Sequence, residues 1–432
     1  MSPDATTGSL FKVRDGQKLL GVHPERNALA SSIDANHDAE LQDSEIRDFL
    51  VSRGDIPDLS KADVDVDQVV ADFKAHLRKE IPSKKDAYHT YEQVGTVLED
   101  LANQHPEVAE RVSLGKTPEG RELWALHLTA GLKDGDATAK TGVVITGAHH
   151  AREWASMEAP LYLAQQLAEG STADPEMQRR LDQGDLWIIP CANPDGYEYS
   201  RTEDSWWRKS RNEITDTGCP TKPARGAKGV DLNRNYDDGK PEHAELYRPK
   251  GDLPCRTDDD FGRATSDDPN DDTYRGPRGA SEPEVQALLN LELNRGNVKG
   301  VIDHHGYGQM ILYPWGNVDT PVENVEEYRR VGNKMNEALG NRFRVMQSSD
   351  LYPTSGGSHD IHHANGIFSM TLEIGRSFQP DPETLDPLRK SVAAANLVFI
   401  DEVLAKNPPA PPAPPEPPAP PTPAPPDGFL LA

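Results

Sequence analysis

Chemistry is first suggested by the stretch GVVITGAHHAREW (residues 142–154), where an apolar run ends in two histidines, an arginine and a glutamate. A histidine and a glutamate three positions apart, His150 and Glu153, reach one metal ion when the turn after a strand presents both. Imidazole and carboxylate are ligands that zinc accepts, and a catalytic zinc uses three protein ligands and a water. A lone pair of this kind is common among surface polar residues, so the chemistry needs companions from elsewhere in the chain.

Candidate companions stand at the ends of other apolar runs: DHHGYGQ (303–309), WWRKS (206–210), DLNRN (231–235), LYPTSGGS (351–358) and TLEIG (371–375). In order and context these segments, with HAREW, resemble the zinc carboxypeptidases of the funnelin type, the family of carboxypeptidases A, B and T. The resemblance runs from about residue 86 to about 405. It implies zinc held by His150, Glu153 and His305, two histidines and a glutamate being the ligand set established for carboxypeptidase A. His149 and His304 then become neighbours of the ligands. The same resemblance implies Glu373 as general base, Arg208 as the group that stabilises the developing oxyanion, and Arg152 at the outer substrate site. Asn233, Arg234 and Tyr352 would grip the free carboxylate of a peptide or protein C-terminus, a planar anion suited to a guanidinium. That grip implies an exopeptidase.

Two positions depart from the family pattern. Ser205 stands where a second arginine is frequent, which removes an outer carboxylate contact. His359 occupies the floor of the specificity pocket, aliphatic in A-type and aspartate in B-type enzymes, and it points to polar, aromatic or acidic C-terminal residues rather than Lys or Arg. Two other functions fit the same residues less well: a muropeptide peptidase of the cell wall on this fold, and a non-catalytic calcium-dependent binding protein. The complete ligand set with Glu373 argues against the second.

Positioning such residues requires a scaffold, and residues 86–406 supply its pattern. Short apolar runs (GVVITG, DLWIIPCAN, VKGVIDHHG, IFSMTLEIG) alternate with helical stretches such as EAPLYLAQQLAEG and SEPEVQALLNLELNRG. The pattern predicts an α/β domain with a mixed, mainly parallel sheet flanked by helices. Sites in such sheets gather beyond the carboxyl ends of the strands, where HHARE and DHHG both fall. The acidic segment CRTDDDFGRATSDDPNDDTYRGP (255–277) could rim the funnel or bind another cation, but reads first as a solvated insertion.

Residues 1–85 read instead as a small helical region, and within it DANHDAELQDSE (34–45) has the donor spacing of an EF-hand calcium loop. Asp34, Asn36, Asp38, Gln42 and Glu45 take the side-chain positions and Glu40 the carbonyl position, while Ala39 replaces the usual turn glycine. The segment DVDVDQVVADFK (63–74) ends in Lys74 and is expected to be a helical partner without calcium. Residues 407–432 form a disordered Pro-rich tail, extended and unable to build a core.

With 46 Lys and Arg against 71 Asp and Glu, the chain carries a formal charge of −25, which argues against nucleic acid or an anionic membrane as partner. No apolar stretch approaches the ~20 residues of a membrane span. A monomer is expected. Of three cysteines, Cys191 lies in an apolar run as a buried thiol, and Cys219 and Cys255 lie in irregular segments where a disulfide is expected. The disulfide and the family resemblance point to an extracellular or periplasmic location, although the first residues show no basic-then-apolar leader.

Overall fold

Each apolar run read as a buried strand takes its place in one eight-stranded sheet. The computed structural model describes residues 87–133, 135, 137–250, 255 and 264–408. The helical region 1–85, with its calcium loop at Asp34, Asn36, Asp38, Glu40 and Glu45, lies outside the described residues, as does the Pro-rich tail after 408.

The strands are β1 (Ala109–Lys116), β2 (Glu122–Leu128), β3 (Thr141–Thr146), β4 (Gly184–Ile189), β5 (Val298–Gly306), β6 (Met310–Tyr313), β7 (Arg344–Gln347) and β8 (Phe368–Ile374). Their order across the sheet is β1-β2-β4-β3-β5-β8-β6-β7. The centre, β4-β3-β5-β8, is parallel throughout. Antiparallel pairs join β1 to β2, β2 to β4 and β6 to β8, whereas β7 runs parallel to β6. Every residue of β3 and β4 is buried, the mark of strands covered on both faces.

The helices are α1 (Tyr91–Gln104), α2 (Trp154–Gly170), α3 (Pro175–Gln183), α4 (Pro194–Thr202), α5 (Ala244–Tyr247), α6 (Pro283–Asn294), α7 (Val325–Ala338), α8 (Ser358–Ala364) and α9 (Pro382–Lys406). Side chains alternate across the sheet by the two-residue period of a strand. Val143, Ile145, Ile302, Met370 and Leu372 therefore meet Leu163, Leu167, Val392 and Phe399 of α2 and α9 on one face. Val144 and Val301 meet Val285 and Leu288 of α6 and Ile361 of α8 on the other. Each such fully buried aliphatic side chain stabilises the fold by roughly 1.5–3 kcal/mol.

Local rules account for the helix ends. Thr90 and Gln93 form a reciprocal capping box at the start of α1, and Val94, Leu98 and Leu101 repeat on its buried face. The tight passage from β3 into α2 has a different cause. Pro160, inside α2, offers no N–H to the carbonyl of Ser156 four residues earlier. Gly147 packs against that carbonyl so closely that a Cβ there would lie 2.1 Å from its oxygen. No helix among the described residues is long and apolar enough to cross a membrane.

Candidate active site

The segment that opened the sequence argument leaves β3 and turns sharply before α2. Ala148 adopts a left-handed φ of 50°, which costs an L-residue on the order of 1–2 kcal/mol. Its N–H donates to Ser156 Oγ at 3.1 Å, so α2 holds the turn in place. Glu153 is the N-cap of α2, but its side chain makes no capping bond and is released toward the end of β5. There His305 arrives on the parallel neighbour of β3.

His150, Glu153 and His305, all buried, bring one ligand atom each within 4.8 Å of one another. His150 Nδ1 lies 2.7 Å from Glu153 Oε1, His305 Nδ1 lies 3.1 Å from Oε2, and the two Nδ1 atoms are 3.0 Å apart. The N–H of Gly306 donates to Glu153 Oε2 at 3.0 Å and steadies the carboxylate. Burial opposes the charge on Glu153, yet the two imidazoles outweigh it and hold the group well below the ordinary carboxylate range.

Whether these residues suit zinc turns on which ring nitrogens face inward. His150 Nε2 lies 3.0 Å from Asp231 Oδ1. Burial works against the Asp231 charge, but Arg208 and His150 hold its pKa far below normal, so the group is a carboxylate and His150 must present N–H to it. The Nδ1 lone pair of His150 is thereby left for the cluster. His305 also turns Nδ1 toward the cluster, while its Nε2 lies 3.1 Å from Asn233 Nδ2, an N–H donor, so this contact orients the ring without reserving the Nδ1 lone pair. Two imidazole nitrogens and a carboxylate facing one point match a zinc donor set with an open position.

Around that point lies a cavity of about 250 Å³ whose lining includes Arg208, Asn233, Arg234, Tyr352, His359 and Glu373. Glu373 sits on β8 directly across from His305 on β5. Burial and then the charge of Glu153 push its carboxyl up to about 8, with Arg208 and Arg234 pulling the other way. A cation at the cluster would favour its carboxylate form. Arg208 donates from Nη2 and Nε to Asp231 Oδ2 at 2.8 and 2.9 Å and lies 3.8 Å from Glu153. Asn233 follows Asp231 on a short 3₁₀ turn, and its Oδ1 accepts the N–H of Ser358 at 2.9 Å. Tyr352 also lines the cavity and is 42% exposed. Arg152, also lining the cavity, donates to Asp272 at 3.0 Å and stacks over Phe378.

His149 and His304 stay outside the cluster. His149 Nε2 pairs with the Tyr236 hydroxyl at 2.8 Å, its ring stacked on His305. His304 lies between the Thr146 carbonyl and Asn396, and burial pushes its pKa down to about 4. A sulfur bridge joins Cys219 to Cys255, while Cys191 is a free, buried thiol raised by burial.

One expectation is corrected. The described part of the acidic segment is no solvated insertion: Asp267 is buried against Arg275 and Arg248, and Tyr274 accepts the N–H of Asp231 on its carbonyl. The Asp267 carboxylate is thus compensated by two arginines. Asp231 was also passed over in the sequence, although DLNRN displays it two positions before Asn233. The available signal was chemical: a buried histidine ligand needs an acceptor on its second nitrogen.

The sequence profile of zinc carboxypeptidases matches residues 94–395. The chain belongs to the zinc carboxypeptidase family. Carboxypeptidase A2 of Rattus norvegicus is 30% identical over 295 residues, 67% of this chain and 63% of the rat protein. Carboxypeptidase A4 of Mus musculus is 29% identical over 294 residues, 67% of this chain and 62% of the mouse protein. The chain thus spans somewhat under two thirds of the length of these relatives. Carboxypeptidase A from Helicoverpa armigera shares the fold with a TM-score of 0.64 at 23% identity, covering 85% of this chain and 82% of that one. Within the family, the mixed α/β sheet and the convergence of a His-Glu-His donor set are what the resemblance in the sequence implied.

Proposed function

We propose that this protein is a zinc metallocarboxypeptidase that removes the C-terminal residue of peptides or proteins. The observation that carries this reading is the convergence of His150, Glu153 and His305 in one cavity with Glu373, Arg208 and Arg234.

Zinc held by the three ligands would acidify water and polarise the scissile carbonyl. Glu373, across the strand pair from His305, takes a proton from the attacking water and delivers it to the leaving amine. Arg208, held by Asp231, meets the oxyanion that forms on the former carbonyl. Arg234, Asn233 and Tyr352 bind the free carboxylate of the substrate, and Arg152 contacts residues further from the C-terminus. An internal peptide bond presents no carboxylate to Arg234, which restricts the chemistry to chain ends.

The experiment is hydrolysis of a blocked dipeptide by the zinc-loaded protein and by Glu373→Gln. The variant should lose 10²–10⁴-fold in kcat while binding zinc unchanged. Equal rates would show that the base is misassigned.

The Cys219–Cys255 bridge supports folding in an oxidising compartment, extracellular or periplasmic. Calcium at residues 34–45 is proposed from the donor spacing alone, and a monomer from the chain's strong net charge.

A further inference from the structure

We propose that the inner end of the cavity selects a C-terminal residue whose side chain is uncharged and tipped by a hydroxyl or carboxamide, with His359 as the selecting group. This rests on the carboxypeptidase reading, because that reading puts the substrate carboxylate at Arg234 and Asn233.

From there the cavity continues past Gly357. A Cβ on Gly357 would lie 3.9 Å from Asn233 Oδ1 and 3.8 Å from His359 Cε1, so its absence keeps the passage open. At the far end three polar atoms converge on the space beside Gly316. A Cβ built there would meet Thr354 Oγ1 at 2.8 Å, His359 Nε2 at 3.0 Å and Ser348 Oγ at 3.2 Å. His359 Nε2 is buried and makes no well-aligned hydrogen bond, although Asp360 Oδ1 lies 3.3 Å away, while Nδ1 is taken by Thr371 Oγ1 at 3.0 Å. The Ser348 and Thr354 hydroxyls likewise bond no other protein group among the described residues. No ligand atom can occupy the Cβ position itself, at bonding distance from the Gly316 Cα, but all three residues also line the cavity, and there they form a cradle for one small group that both donates and accepts. Met310 and Leu312 line the approach and suit a ring or a methylene stem.

Neither charge is accommodated. Asp360 lies beside His359, and its oxygens accept the N–H groups of Gly316 and Asn317 at 2.8 and 3.1 Å. It holds the cradle loop in position, buried behind His359 and already engaged by backbone N–H groups rather than presented to a substrate ammonium. Burial, with His305 and Arg234 nearby, pushes His359 down to about 3, so no cation waits there for a substrate carboxylate. A wholly apolar side chain fits the walls but leaves the three cradle atoms unpaired and dry.

The test is calorimetric titration of the zinc-loaded full chain with free L-tyrosine, L-phenylalanine, L-glutamine, L-methionine, L-lysine and L-glutamate. Tyrosine should bind at least tenfold more tightly than phenylalanine, and glutamine than methionine, with lysine and glutamate weakest. His359→Leu should erase both differences, and Gly316→Ala, which presses a methyl against all three cradle atoms, should do so with His359 still present. Phenylalanine and methionine binding as well as their polar counterparts, a lead for lysine or glutamate, or no binding of any, would each overturn the proposal. Preferences that survive both variants would overturn the role of His359. Binding is read without turnover, so a failure to hydrolyse any peptide would count against the carboxypeptidase reading alone.

Discussion

Asp231 shows how much a single carboxylate organises. One oxygen faces His150 Nε2 and the other accepts two hydrogen bonds from Arg208, so it sets both the His150 tautomer and the direction of the Arg208 guanidinium. Replacing it with asparagine keeps the volume and removes the charge that fixes His150. Zinc affinity of Asp231→Asn, measured by competition with a chromogenic chelator, should fall 10–100-fold. An unchanged affinity would mean that His150 presents Nδ1 without help. Residue by residue, the cluster of His150, Glu153 and His305 with Glu373 nearby was readable because HxxE, a distant histidine and the acid of TLEIG are separate local signals. Asp231 and the hydroxyls of Ser348, Thr354 and Thr371 were not, because their significance lies in which atoms they face across the fold.

Among the elements, the passage from β3 to α2 is the most constrained. It combines a left-handed Ala148, a proline inside α2 and a glycine pressed against a carbonyl, and it aims His150 and Glu153. Gly147→Ala cannot be absorbed by a side-chain shift, since the clash is with backbone. We expect a loss of about 3 kcal/mol by urea unfolding, together with weaker zinc binding, because the turn and the ligands move together. Stability within 0.5 kcal/mol of the original would show that the turn yields easily. The apolar runs of the central strands were legible in the sequence. The edge hairpin β1–β2 was not singled out, since half-buried antiparallel strands alternate polar and apolar residues weakly.

At the scale of the molecule, one buried carboxylate ties distant segments together. Asp185 on β4 accepts from Arg295 and Asn297 at 2.7 Å each and lies 2.6 Å from His127 on β2. Burial opposes its charge, but His127, Arg295 and Asn297 bring its pKa down to about 2 from an ordinary 3.8. Because the folded value is the lower one, the stabilisation is complete above the ordinary value and is lost as pH falls through about 2. Asp185→Asn should therefore be clearly less stable than the original protein at pH 7. The gap, followed by urea midpoints, should narrow by about 2 kcal/mol toward pH 2. A gap independent of pH would assign the loss to packing.

The sequence by itself determined the α/β alternation, the family and the residue types of the site, because apolar period and motif order are properties of the chain read in a line. Tertiary structure alone decided which ring nitrogens face the cluster, that Asp231 joins His150 to Arg208, and that Asp267 of the acidic segment is paired with Arg275 and Arg248. It also decided that His359 meets Ser348 and Thr354 around an empty Cβ position at Gly316. The physical reason is common to all of these. Hydrogen-bond direction, burial and charge compensation depend on groups tens to hundreds of residues apart being brought within about 3 Å, and the spacing of residues along a chain carries no such information.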